Sequence, residues 1–259
     1  MPYVESRRAC HSRACYKPHS HPTFSIGAVD QGVSLFTGAS DGPVTLRAGT
    51  LVFIPATRLH ACNPVPDTAW SYQMLHLDAL WLHSVRQESP CAKNGCDHAE
   101  SIRIVYKPQI YTRFCQLNSL LFSQADCSDK EAAIIEFIGD YDDVDGVRID
   151  APVAPQHHIR QLDPVLSFLQ QKPGDTASLS ALAAMVGMSR YQLIRAFRTT
   201  TGMTPHAWQL NLRINHAREQ IRAGQDIAAV AFRLGFADQA HFQRVFKAHT
   251  GITPGRYRG

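Results

Sequence analysis

The sequence contains no apolar run of the roughly 18 residues that a membrane-spanning helix requires. No apolar segment follows Arg7, Arg8 and Arg13, so the first residues do not resemble a secretion signal. These two absences predict a soluble, cytoplasmic protein without a membrane partner. Cysteine is absent after Cys127, and the odd total of seven cysteines favours free thiols over a disulfide framework.

Two of these cysteines, Cys91 and Cys96, lie close to His98 and are a candidate metal or redox pair. Four residues separate them, which is a loose spacing for such a pair, so ordinary thiols are the favoured alternative.

Acidic residues are scarce in the second part of the chain. Residues 155–259 hold 13 Lys and Arg against 5 Asp and Glu, a net charge of +8, whereas residues 1–154 hold 13 against 17, a net charge of −4. Lys and Arg release counterions when they neutralise phosphates, so this asymmetry predicts a polyanion partner for the second part.

The first part reads as short strands separated by Gly, Pro, Asp and Asn, a pattern typical of a β-sandwich or barrel. Residues 109–123 and 129–138 then show apolar residues at helical spacing. This helical pair is expected to pack on the barrel or to form a homodimer interface. The strand-like runs are Phe24 to Val29, Val33 to Phe36, Val44 to Leu46, Thr50 to Ile54 and Ser71 to Leu77.

An acidic, Pro-containing stretch follows, and beyond it only helical patterns occur. The predicted fold class is therefore α+β multidomain, with a β-sandwich or barrel and a helical pair followed by an all-α domain. We expect a first domain over residues 1–140, a linker over 141–156 and a second domain over 157–259.

The second part contains an internal repeat. Ser189, Leu193, Arg195, Phe197, Gly202, Thr204 and Pro205 recur 49 residues later as Asp238, Phe242, Arg244, Phe246, Gly251, Thr253 and Pro254. Each unit reads as a short helix, a glycine turn and a second helix that Ser189 or Asp238 can cap. A helix, a tight turn and a crossing helix form the helix-turn-helix motif, whose second helix enters the major groove.

Polar and basic residues lie opposite the apolar stripe of each second helix. Arg can bind guanine and Gln can bind adenine with two hydrogen bonds, which favours base recognition over the alternative of an ordinary solvated face. The third helical stretch, 205–223, would span roughly 28 Å and so place both motifs on one side of a DNA duplex. The predicted DNA-binding residues are Ser189, Arg190, Tyr191, Ile194, Arg195, Asp238, Gln239, Gln243 and Arg244.

These motifs strongly resemble the AraC/XylS family of bacterial regulators over about residues 160–259. The resemblance rests on GMSRYQLIRAFRTTTGMTPHAWQLNLRINHAREQI at 187–221 and on IAAVAFRLGFADQAHFQRVFKAHTGITPGRYR at 227–258. It implies a seven-helix DNA-binding domain that activates or represses promoters through contact with RNA polymerase. Ala240 departs from the larger polar residue of many members, so base readout by the second motif is expected to depend mainly on its Gln and Arg residues.

The first part resembles the cupin-type sensor domain of the same family, through HSHPTFSIGAVDQG at 19–32 and AGTLVFIPATRLHACN at 48–63. Cupin enzymes bind a metal with histidines at the positions of His19, His21 and His60, together with a Glu that residues 22–29 lack. Three readings stay open: a divalent metal site, a metal-free effector pocket, and histidines with a purely structural role. Trp70, Tyr72 and His76 share one face of a later strand and would add walls to an effector pocket.

The leading hypothesis is a transcriptional regulator that binds double-stranded DNA and responds to a small-molecule effector. A cupin oxygenase or isomerase with a basic tail is the enzymatic alternative, and the missing Glu counts against it. An architectural DNA-binding protein with an unresponsive barrel is the third hypothesis. The sequence favours a regulator without catalytic activity.

Overall fold

The structure is a computed structural model, which describes residues 1–38, 42–88, 101–141, 144–150, 156–175 and 177–258. The chain divides into two compact units, one formed by Met1–Ala14 with Ser20–Ala151 and the other by Cys15–His19 with Pro152–Gly259. Within the described ranges, no helix is both long and apolar enough to cross a lipid bilayer.

The first unit combines nine strands and three helices in its described part. They are β1 (Val4–Ser12), β2 (Thr23–Gln31), β3 (Val33–Thr37), β4 (Val44–Arg47), β5 (Leu51–Ile54), β6 (Ala61–Pro64), β7 (Trp70–Asp78), α1 (Ala79–Glu88), β8 (Ile102–Val105), α2 (Pro108–Leu121), α3 (Cys127–Tyr141) and β9 (Val147–Ile149).

These strands form two sheets in which every described pairing is antiparallel. The larger sheet has the order β1-β7-β2-β5-β8-β9 and the smaller has the order β4-β3-β6. β2 lies between β7 and β5 in the larger sheet, and its pairing with β7 puts Ser25 opposite His76 and Gly27 opposite Met74. Directly opposed residues point to the same face, so this register decides which side chains share the interior between the sheets.

The two faces of the larger sheet pack against different parts of the first unit. One face of β2, carrying Phe24, Ile26 and Ala28, joins Phe114 of α2 and Ile134 of α3 in the main hydrophobic cluster. The other face is directed toward the smaller sheet. The helical pair thus packs on the outside of the β-structure and leaves the space between the sheets for other residues.

The expected strands and helical pair are present as β2, β3, β4, β5, β7, α2 and α3. The acidic stretch contains β9, which pairs with β8 inside the first unit although it lies within the residues expected to form the linker. The pair Cys91 and Cys96, with His98, lies outside the described residues.

The second unit contains seven helices in its described part, the number that the family resemblance implied. They are α4 (Gln156–Gln171), α5 (Leu179–Met185), α6 (Arg190–Thr201), α7 (Pro205–Arg222), α8 (Ile227–Arg233), α9 (Gln239–Thr250) and α10 (Pro254–Tyr257). Two apolar clusters form its core, one around Leu193 and Phe197 and the other around Phe242 and Phe246. The repeated sequence therefore builds two similar cores.

Candidate functional site

The first repeat forms a helix-turn-helix from α5, a turn at Gly187 and α6. Gly187 adopts φ 63°, in the left-handed region that an L-residue reaches only with strain. Ser189 then caps α6: its hydroxyl accepts the Gln192 amide hydrogen, and the Gln192 side chain accepts the Ser189 amide hydrogen. This reciprocal pair satisfies two backbone donors at the start of the recognition helix, and it confirms the capping role predicted for Ser189.

One face of α6 is buried and the opposite face is open. Leu193 and Phe197 are fully buried, whereas Arg190, Tyr191 and Arg195 are exposed. The Arg195 guanidinium lies 5.7 Å from the centre of the Tyr191 ring, and its Nη1 is 3.5 Å from the Tyr191 hydroxyl. Stacking on the ring orients an arginine that otherwise has many rotamers.

Ile194 is only half-buried on this helix. It lies between the open face and the packed face, so the structure places it at the margin of the predicted DNA-binding surface.

The second repeat has the same plan, with α8, a turn at Gly235 (φ 71°) and α9. The Asp238 carboxylate accepts the His241 amide hydrogen at 2.6 Å and so caps α9, as predicted. Gln239, Gln243 and Arg244 are all exposed. Ala240 is exposed beside them.

Two of the predicted DNA-binding residues, Ser189 and Asp238, are also helix caps. Oxygens of Ser189 and Asp238 already accept amide hydrogens of their own helices. The geometry makes these two residues positioning elements for α6 and α9, while their contact with DNA stays a prediction.

Arg213 of α7 is the principal residue that the sequence did not single out. Its side chain is 5% exposed, and its guanidinium donates to the carbonyl oxygens of Pro173 at 2.6 Å, Gly235 at 3.0 Å and Asp175 at 3.1 Å. It thereby ties α7 both to the turn after α4 and to the turn of the second motif. An arginine in a helix gives no sequence signal of such distant backbone partners.

In the first unit, β7 carries four of the interior side chains in register. Trp70, Tyr72, Met74 and His76 alternate with residues of the outer face, so the predicted common face of Trp70, Tyr72 and His76 is present. Trp70 and Tyr72 stack with ring centres 4.2 Å apart.

A small apolar cavity of about 20 Å³ lies against this face. Trp70, Tyr72 and Met74 line it from the larger sheet and Cys62 from the smaller one. Burial raises the pKa of the Cys62 thiol to about 12, so this thiol is protonated at neutral pH.

The histidines form a separate cluster next to the cavity. The ring centre of His21 lies 5.0 Å from that of His60 and 5.2 Å from that of His76, and all three side chains are buried. The Ser25 hydroxyl lies between two of them, 2.6 Å from His76 Nδ1 and 3.4 Å from His21 Nε2. The fold thus brings these three predicted effector-binding residues together.

Hydrogen bonds define the proton positions on two of these rings. Nδ1 of His21 lies 2.9 Å from the Thr23 carbonyl oxygen, and Nδ1 of His60 lies 2.8 Å from that of Arg58. A carbonyl oxygen only accepts, so Nδ1 donates these two hydrogen bonds. Burial lowers the pKa of His60 to about 4, and the charge of Arg58 acts in the same direction, so His60 is neutral at pH 7.

His19 belongs to the segment Cys15–His19, which groups with the second unit. Its Nδ1 lies 2.8 Å from the Lys17 carbonyl oxygen. The divalent-metal role of His19, His21 and His60 stays a prediction.

A polar network on the outer face of the larger sheet was also missed by the sequence reasoning. Asp30 accepts hydrogen bonds from Gln73 Nε2 and from the Tyr111 hydroxyl, both at 2.8 Å. Burial and the bond to Asp30 raise the pKa of Tyr111 well above its usual value. The network links α2 to β2 and β7, so the helical pair is coupled to the strands that form the interior.

Two family matches together account for most of the chain. Residues 2–137, more than half of it, match the AraC-like ligand binding domain, and residues 182–259 match a helix-turn-helix domain family.

Two relatives that match most of this chain are named as regulators of transcription. The HTH-type transcriptional regulator YbfI of Bacillus subtilis is 23% identical over 229 residues, which cover 86% of this chain and 80% of that protein. The HTH-type transcriptional activator RhaR of Yersinia pestis is 24% identical over 272 residues, covering 100% of this chain and 89% of that protein.

Solved structures with a similar fold include ToxT of Vibrio cholerae. The form with bound unsaturated fatty acid has a TM-score of 0.59 at 13% identity, and the match covers 98% of this chain and 94% of that one. The fold class predicted from the sequence is confirmed. With its ligand-binding domain followed by a double helix-turn-helix domain, the chain belongs to the AraC family of DNA-binding transcriptional regulators.

Proposed function

We propose that this regulator reads its operator with α6 and α9, which enter successive major-groove segments on one side of the duplex. The observation that carries this proposal is the exposure of Arg195 and Arg244 at equivalent positions of two helices whose opposite faces are buried. The 18 residues of α7 span about 27 Å at 1.5 Å per residue. This length approaches the roughly 34 Å between major-groove faces one helical turn apart.

The residue types define the expected roles. Arg195 and Arg244 would each bind guanine O6 and N7, while Gln239 and Gln243 would bind adenine N6 and N7. Arg190, Tyr191 and Ile194 would complete the surface of α6, and the capped helix starts would face the phosphates.

Substitution of the two arginines tests this proposal. Arg195→Ala and Arg244→Ala are each expected to lose about 1–3 kcal/mol of discrimination between a selected operator and random DNA. Arg160→Ala, at an exposed position of α4, is the matched control and should retain discrimination. Binding to both DNAs is measured at fixed salt by fluorescence anisotropy. Equal weakening on operator and random DNA would assign the arginines to phosphates and contradict base recognition.

We further propose that the interior of the first unit receives the small-molecule effector, with His21, His60, Trp70, Tyr72 and His76 as its binding residues, while the effector-binding role of His19 stays a prediction. An effector that binds one conformation better than another shifts the population between them and so alters DNA engagement. His60→Ala is expected to leave basal operator binding within twofold of the wild type. It is also expected to change how strongly a promoter–reporter fusion responds when a cell or medium extract that contains the effector is added. An unchanged response would remove His60 from the effector site.

We propose that α2 and α3 form a homodimer interface, that the promoter-bound protein contacts RNA polymerase, and that it acts in the bacterial cytoplasm without catalytic turnover. We propose that residues 1–140 and 157–259 are the two functional domains and that residues 141–156 link them, although β9 within this linker pairs with β8 of the first domain. Metal analysis of the purified protein tests the predicted three-histidine metal site.

A further inference from the structure

The recognition helices of the two repeats differ at a position beside their shared arginine. Arg195 of α6 and Arg244 of α9 are equivalent, and the residue four positions earlier is Tyr191 in α6 but Ala240 in α9. Residues four positions apart are neighbours on the same face of a helix. The arginine of α6 therefore has an aromatic neighbour that the arginine of α9 lacks.

Tyr191 contacts Arg195 on the open face of α6. The guanidinium carbon lies over the ring, 5.7 Å from its centre, and Nη1 is 3.5 Å from the hydroxyl oxygen. The tyrosine is 68% exposed, so its ring is not part of the core of the unit. A guanidinium that stacks through its flat face keeps the donors of its edge, and Nε and Nη2 can then bind O6 and N7 of guanine.

Arg244 is likewise exposed but has no such support. Within the part of the chain that the structure describes, its side chain makes no hydrogen bond, ion pair or ring contact. The residue three positions after each arginine is basic and exposed, Arg198 in α6 and Lys247 in α9. Repulsion from this neighbour is common to both helices, so it does not distinguish the two arginines.

Stacking before DNA binding affects how well an arginine discriminates between bases. An arginine side chain has many rotamers, and fixing one of them for a bidentate contact costs conformational entropy. A stacked arginine has lost part of this freedom beforehand, which favours binding to guanine but not to a base that offers no bidentate contact. An exposed cation–π contact changes an equilibrium by about two- to fivefold, and this sets the size of the effect.

We propose that Tyr191 is a positioning residue for Arg195, and that α6 therefore reads its guanine more stringently than α9 does. Ala240 leaves the second motif more tolerant of changes at its base pair. The inference deepens the proposed function, because it rests on the two arginines binding guanine in the major groove.

Discrimination is measured on the full-length protein at fixed salt by fluorescence anisotropy. The base pair that each arginine reads is the one at which Arg195→Ala or Arg244→Ala abolishes the preference of a selected operator for guanine. Discrimination is the dissociation constant with another base at that position divided by the constant with guanine. In the wild type it is expected to be about threefold higher at the base pair of Arg195 than at that of Arg244.

Substitutions at the two equivalent positions test the role of the ring. Tyr191→Ala should lower discrimination at the base pair of Arg195 by about threefold, whereas Tyr191→Phe keeps the ring and should retain it. Ala240→Tyr should raise discrimination at the base pair of Arg244 by about threefold, whereas the matched control Ala240→Leu adds bulk without an aromatic face and should not. Both positions are exposed, so each variant is expected to fold.

A double substitution separates positioning from a direct contact of Tyr191 with DNA. Tyr191→Ala should weaken binding of the guanine operator in the presence of Arg195 and should have no effect on it in the Arg195→Ala background. Weakening in both backgrounds would show that the tyrosine contacts DNA itself and would overturn the inference. An equal loss in Tyr191→Phe and Tyr191→Ala, or no gain in Ala240→Tyr, would also overturn it.

The result for Arg195→Ala separates this inference from the proposed function. If Arg195→Ala loses discrimination and Tyr191→Ala does not, the positioning role is wrong while base recognition by α6 stands. If Arg195→Ala discriminates as the wild type does, base recognition itself is wrong, and the inference fails with it.

Discussion

Replacement of Arg213 by methionine is expected to loosen the connection between α7 and the second helix-turn-helix. Methionine keeps much of the apolar stem but removes the guanidinium that donates to the carbonyl oxygens of Pro173, Asp175 and Gly235. Burial lowers the pKa of Arg213, which shows that the charged form is partly desolvated in its pocket.

The expected magnitude follows from these opposing effects. Hydrogen bonds from a charged donor contribute about 1.5–3 kcal/mol each, and the substitution removes those to Pro173, Asp175 and Gly235, although the Asp175 oxygen keeps a hydrogen bond from Gln209. Removing a buried cation relieves a desolvation penalty of several kcal/mol, which offsets part of that loss. The net destabilisation is therefore about 2–4 kcal/mol, near the upper end for single substitutions.

Native-state hydrogen exchange by mass spectrometry measures this effect where it should occur. The opening free energy of amides in α7, α8 and α9 is expected to fall by that amount in the Arg213→Met variant, while amides of β2 and β7 keep theirs. Arg160→Met, which changes an exposed arginine, should stay within about 0.5 kcal/mol of the wild type. If Arg213→Met were as mild as this control, the proposed bridging role of the guanidinium would be wrong.

Two further predictions use other contacts of the described residues. Gly235→Ala should destabilise the second unit by at least about 2 kcal/mol more than Gly187→Ala in the same exchange experiment, because both turns have positive φ but, of these two, only Gly235 would place a Cβ against a backbone oxygen, that of Gly174. Equal effects at the two turns would refute the steric argument. Cys62 should react with iodoacetamide at pH 8 at least about a thousandfold more slowly than exposed Cys10, because a pKa of about 12 leaves almost no thiolate. Peptide mapping of the modified protein measures both rates, and comparable rates would contradict the raised pKa of the Cys62 thiol.

The sequence analysis did not predict β1 and β8, and the composition of these strands explains why. β1 carries charged residues such as Arg7 and Arg8 and pairs only with β7 at one edge of the sheet, so it lacks the apolar alternation of a central strand. β8 is only four residues long, and its Arg103 is buried with its guanidinium 5.0 Å from the centre of the Phe53 ring. A charged residue in so short a run conceals a buried strand.

The predicted site residues include some whose placement depends on one helix and others whose placement depends on several strands. The caps at Ser189 and Asp238 and the exposed face around Arg195 follow from spacing within one helix, and the structure has them as predicted. Trp70, Tyr72 and His76 share one face of β7, and His76 lies 5.2 Å from His21 between ring centres, but a common effector pocket stays a prediction.

The amino-acid sequence alone determined the double helix-turn-helix, its caps and turns, and the faces of its recognition helices, because each depends on residues within a few positions of one another. Only the tertiary structure decided that Arg213 joins two turns and that Ser25 lies opposite His76. Those contacts join residues 22 to 51 positions apart, and the packing of whole helices and the register of whole strands select them. No local pattern encodes such a choice, because many registers and rotamers are compatible with the same short stretch of sequence.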